Sequence, residues 1–127
     1  MTRERRKLSS AKFDTTKINT TRFVVCELLA ADGKRLVVWS DHDHSVEQNA
    51  MGPMGGHIAG VYALARDAQT LSASVGEVLG GGFASVNPKE KKIALSGKSV
   101  TYGREPNRDL TAKLVRDAYP DWNVVFE

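Results

Sequence analysis

Apolar residues in this chain fall into runs too short to cross a membrane and too regular for a disordered tail. The first run is Arg22-Phe23-Val24-Val25-Cys26-Glu27-Leu28-Leu29, rich in β-branched and aromatic residues. It predicts a strand. Asp32-Gly33 then supplies a hairpin turn, and Arg35-Leu36-Val37-Val38-Trp39 reads as the returning antiparallel strand. Residues 40–56 lose all periodicity and read as a long loop. From Ile58 to Ser72 the apolar positions recur at helical spacing, which puts His57 at or just before a helix N-terminus.

A second half repeats this order. Val78-Leu79 opens a strand, Gly80-Gly81-Gly82 interrupts it, and Phe83-Ala84-Ser85-Val86 resumes it. Asn87-Pro88-Lys89-Glu90 is a turn, and Lys92-Ile93-Ala94-Leu95-Ser96 returns as the partner. Residues 99–103 are a further strand or an ordered loop. Asn107 is placed to cap a helix from Arg108 to Ala118, with Leu110, Leu114, Val115 and Ala118 on one face. Pro120 stops that helix, and Asn123-Val124-Val125-Phe126 forms a last strand. The order strand, strand, helix, strand, strand, helix, strand predicts a single α/β domain: one mixed sheet with about two main helices packed on it. The domain is expected over residues 19–127, preceded by a flexible basic tail over residues 1–18.

Composition sharpens this picture in two places. The chain has 127 residues and 41% hydrophobic content, enough for one core without a staple. Its net charge is +3, but four of the 18 basic residues and one of the 15 acidic ones lie in residues 1–7. The other 14 of each balance. The basic character therefore sits in a short end and not on a folded face, which argues against a nucleic-acid groove. No secretory leader or membrane span is visible, so a cytoplasmic protein is expected, one that binds no membrane and is monomeric. The lone Cys26 lies in an apolar run and reads as a small buried hydrophobe.

Several segments carry a resemblance. They are Leu79-Gly80-Gly81-Gly82, Lys91-Lys92-Ile93, Gly97-Lys98-Ser99-Val100-Thr101-Tyr102-Gly103, and Ala118-Tyr119-Pro120-Asp121 followed by Trp122. Each is weak alone. Their order and spacing over about 45 residues resemble the phosphohistidine phosphatase (Janus/Ocnus) family, and the first strand and the helix after His57 match more loosely. The resemblance implies a metal-independent phosphatase, without cofactor, that hydrolyses the P–N bond of phosphohistidine. It implies His57 as general base or nucleophile. It implies that Ser99, with the backbone amides of Val100 and Thr101, holds the phosphate, and that Arg22 on the first strand contacts the substrate. The partner would be a phosphohistidine-containing protein or a small phosphoramidate.

Three positions depart from the family pattern. Phe83 follows the triple glycine where the family has arginine, Gly56 precedes the histidine where an aromatic is usual, and no arginine occurs between Ser40 and Gly56.

The residues alone also allow other readings. His57 is equally an ordinary helix-start histidine, Ser99 a turn serine, and Arg22 an edge-strand charge. The glycines suit a bulge or a tight bend, and no Lys-Ser/Thr ending makes them a P-loop. Two other functions stay open. One is a phosphate- or phosphoprotein-binding module of the same fold without turnover, suggested by Phe83. The other is a metal-dependent hydrolase built on the alternating His42 and His44, which an extended segment would place on one side.

Overall fold

The structure is a computed structural model, and it describes residues 8–41 and 57–127. It confirms the α/β class: a six-stranded mixed sheet carrying two helices. In chain order the elements are β1 (Ala11–Lys12), β2 (Asn19–Ala30), β3 (Gly33–Ser40), α1 (Ile58–Gln69), β4 (Ser74–Asn87), β5 (Lys92–Ser96), α2 (Arg108–Ala118) and β6 (Asn123–Phe126). Across the sheet the order is β1-β3-β2-β4-β5-β6. The central pairs are antiparallel, while β1 on β3 and β6 on β5 are parallel.

The unbroken apolar run of β2 reflects its central place. A strand covered on both faces cannot alternate with polar residues. Phe23 and Val25 enter one core with Ala84, Val86, Ile93, Leu95 and residues of α2. Val24, Cys26 and Leu28 enter a second core with Val37, Trp39 and residues of α1. The helices therefore lie on opposite faces, in three layers. Full burial of a side chain such as Phe23 or Leu64 contributes about 2–3 kcal/mol. Cys26 is fully buried, and burial pushes its thiol up to about 12. It is a core residue and no nucleophile.

Two expectations need correction. The tail does not reach residue 18. Residues 11–12 pair in parallel with Val38 and Trp39, Phe13 is buried, and the Phe13 N–H donates to Tyr119 Oη at 2.9 Å. A two-residue strand paired with a distant partner leaves no periodicity to read. Nor do the glycines interrupt the strand, since β4 runs 14 residues straight through them. Its register against β2 slips twice, between Val25 and Cys26 and between Cys26 and Leu28, each time with an extra residue on β4. These bulges re-aim the side chains that precede the glycines.

Candidate functional site

The site is laid out by strand register. Arg22 on β2 pairs with Phe83 on β4, and Val24 pairs with Gly81. Side chains two apart share a face. Arg22 and Phe83 therefore project on the face of Val24, the face that α1 covers. His57 is the residue at which α1 begins, and the helix swings its ring onto β4. A Cβ added to Gly81 would stand 3.2 Å from His57 Cδ2 and 2.2 Å from Phe23 O. Position 81 has no room for a side chain: the Phe23 carbonyl blocks it and the imidazole packs close beside it.

Two contacts fix that ring, and a third extends the group. His57 Nε2 lies 2.7 Å from Gly82 O. The ring meets Phe83 edge-on, with centroids 5.2 Å apart and planes at 79°. Arg22 sits over the same phenyl ring, its Cζ 5.7 Å from the centroid. His57, Phe83 and Arg22 form one contiguous patch.

The Gly82 contact sets the tautomer. A carbonyl can only accept, so Nε2 carries the proton and the neutral ring keeps its lone pair on Nδ1. Burial holds the pKa of His57 below its ordinary value. The Gly82 bond pulls it back up, and the positive charge of Arg22 pushes it further down. The result is a neutral imidazole, 7% exposed, with one nitrogen tethered and the other basic.

The segment expected to hold phosphate is tied to the same glycine. Ser99 N–H donates to Gly81 O at 3.1 Å and to Gly103 O at 3.3 Å. Gly103 N–H donates to Ser99 O at 2.8 Å, and Gly81 N–H to Gly103 O at 2.9 Å. Residues 99–103 are thus a tight turn stitched onto β4 at Gly81. Gly97 and Gly103 sit at φ +69° and +75°, where a side chain would be strained. Ser99 itself is 1% exposed, and its Oγ accepts from Tyr102 N at 3.0 Å. Its amide is committed internally, so the expected main-chain donors narrow to those of Val100 and Thr101. Both residues are exposed at the tip, Val100 at 98%.

With this geometry in place, the comparison with known families is decisive. The model of the Janus/Ocnus family matches residues 10–123. The chain belongs to the Janus/Ocnus family. No curated protein matches it. The Janus/Ocnus match begins within one residue of β1, in keeping with the folded state of residues the composition had assigned to a tail.

Of the five residues singled out from the Janus/Ocnus resemblance, His57 and Arg22 share one patch on β4. Ser99 is bonded to Gly81, beside which the His57 ring packs, and Val100 and Thr101 follow it in the turn. Sequence reasoning missed Phe83 as the residue linking His57 to Arg22, and Gly82 O as the partner that fixes the imidazole. The departure from arginine at position 83 was the available signal. His42 and His44, like Gly56, lie outside the described residues, and among the described residues no group of three His, Cys, Asp or Glu could hold a metal.

Proposed function

We propose that this Janus/Ocnus protein is a phosphohistidine phosphatase working through His57. The observation that carries the reading is the tethered imidazole: Nε2–H held by Gly82 O, Nδ1 left basic, and a depressed pKa that keeps it so. Such a ring has two uses. Nδ1 can take a proton from a water whose oxygen attacks phosphorus, or it can attack phosphorus itself and be freed by water afterwards. Either way the P–N bond breaks, its electron pair returns to the substrate's ring nitrogen, and inorganic phosphate leaves.

The P–N bond is labile, so positioning and charge stabilisation carry most of the demand. Arg22 supplies a cation over Phe83, at a distance where it already perturbs His57. The amides of Val100 and Thr101, two exposed residues of the turn, would supply main-chain donors. The decisive test compares wild type and His57→Ala on a histidine-phosphorylated peptide and on phosphoramidate, with chelator present. A loss of two orders of magnitude or more is expected. Equal rates for the two proteins would defeat the assignment.

Phe83 favours a second reading, a binding module of the same fold without turnover. A phenyl ring stands where a further arginine would grip the phosphoryl oxygens. That reading predicts phosphate-dependent binding with no hydrolysis, and chelator-resistant turnover dependent on His57 would end it.

A further inference from the structure

Where the chain leaves β5 for α2 it borders an open cleft of about 500 Å³, lined by Gly97, Lys98, Arg104, Arg108, Phe126 and Glu127. One wall is rigid. The Arg108 guanidinium lies over the Phe126 ring, Cζ 4.7 Å from its centroid, and donates to Gly97 O. It also stands 3.4 Å from Glu105 Oε1, a carboxylate only 2% exposed. The charge of Arg108 is therefore answered within the fold.

Lys98 and Arg104 differ. Both are exposed, and among the described residues neither meets a carboxylate. The fold also holds them together. Ser99 and Gly103 form an antiparallel bridge, so Lys98 and Arg104 are the pair one step outward from it. Like charges set opposite each other are destabilising. Arg104 also opposes the charge of Arg108, adding to the effect of burial in lowering the latter's pKa. The acidic side chain in the lining, Glu127, leans toward Lys92 at 3.6 Å. A bound anion would relieve this concentration of positive charge.

Its chemistry is constrained as well. Two cations beside a phenyl wall suit one or two carboxylates carried on a polypeptide. They do not suit a long polyanion, because the chain beyond residue 7 carries 14 basic and 14 acidic residues and no excess of cations to extend the footprint. The cations also flank the turn whose tip offers the Val100 and Thr101 amides. We infer that Lys98 and Arg104 recognise acidic side chains near the phosphorylated histidine, making the preferred substrate a protein phosphohistidine with Asp or Glu neighbours. This rests on the proposed phosphatase reading.

The test uses two histidine-phosphorylated decapeptides that differ by Glu against Gln at the neighbouring positions. Wild type should favour the Glu peptide about fivefold in kcat/KM, and Lys98→Gln with Arg104→Gln should bring the ratio close to one. A ratio near one in wild type, or one that survives the double substitution, overturns the proposal. The single substitutions carry the same expectation in part, should the double variant fold poorly. If wild type hydrolyses neither peptide, the phosphatase reading fails separately. Fluorescence anisotropy with the labelled, unphosphorylated Glu peptide then still decides the cleft: wild-type binding that salt and the double substitution weaken supports it, and no binding rejects it.

Discussion

The two helices among the described residues begin in opposite ways. The start of α2 is conventionally capped. Asn107 has extended backbone angles, φ −133° and ψ 93°, and its Oδ1 accepts from Leu110 N at 3.0 Å. Asp109 lies in the first turn, where it complements the helix dipole. Thr111 donates its hydroxyl to the buried Glu105 at 2.6 Å. At the start of α1 none of this is present. His57 is already helical in its angles, makes no side-chain cap, and is followed by no acid in the first turn. Its ring is spent on β4 instead. One N-terminus is capped for stability, and the other holds an imidazole in place and carries no acid in its own first turn. Natural helices depart from good capping where something else is required of the residue, and under the proposed function that requirement would be the position of Nδ1.

The sharpest way to break the contrast is to remove the first residue of each helix. His57→Ala should cut phosphoramidate hydrolysis by on the order of a thousandfold. It should also cost about 2 kcal/mol of stability, because a buried ring is removed and Gly82 O loses its donor. Asn107→Ala should cost about 1 kcal/mol in urea unfolding while hydrolysis stays within about twofold. If the two variants lose activity equally, the division of labour between the helix starts is wrong. A third variant tests the buried network behind Asn107. Thr111→Val leaves Glu105 Oε2 without its hydroxyl donor and should cost about 2 kcal/mol, again with little change in rate.

This division was partly legible in the sequence, and what was legible had local causes. Asp32-Gly33, the Asn107 cap and the position of His57 ahead of a helix each rest on a few adjacent residues. The uninterrupted Phe23-Val24-Val25-Cys26 run marked a strand, and its lack of alternation carries the further message that both faces are covered. What escaped depends on partners far away in the chain. β1 exists because β3 offers it an edge 27 residues on. The three glycines looked like a break, but β4 needs them. A Cβ at Gly80 would come 2.3 Å from Glu105 N, and one at Gly82 would come 2.4 Å from Ser96 O. Ser99 was expected to offer its segment to phosphate, but hydrogen-bond geometry, which sequence does not carry, commits its amide to Gly81 and Gly103. The grouping of Arg22, Phe83 and His57 likewise follows from the β2–β4 register, which the first strand alone could not define.

The smallest effect expected is also the one that probes His57 most directly. Burial and Arg22 both lower its pKa, against the Gly82 bond, so the ring loses its proton below the ordinary histidine value of ~6.5. Hydrolysis through a neutral Nδ1 should then rise with pH along a limb centred below that value and stay flat above it. Arg22→Gln removes one of the two lowering causes and leaves burial in place. The limb should move up toward the ordinary value without reaching it, and the assigned His57 Cε1–H resonance should titrate with it. The level of activity falls for a separate reason if Arg22 grips phosphate, so the midpoint and not the plateau is the readout. Stability supplies a second check on the sign. A histidine whose folded pKa is depressed binds fewer protons folded than unfolded, so its contribution is complete above ~6.5 and is lost as pH falls through the folded pKa. Wild type should therefore lose more stability than Arg22→Gln on acidification through that window. A midpoint that moves down, or a resonance indifferent to Arg22, would mean that the guanidinium over Phe83 does not act on the imidazole.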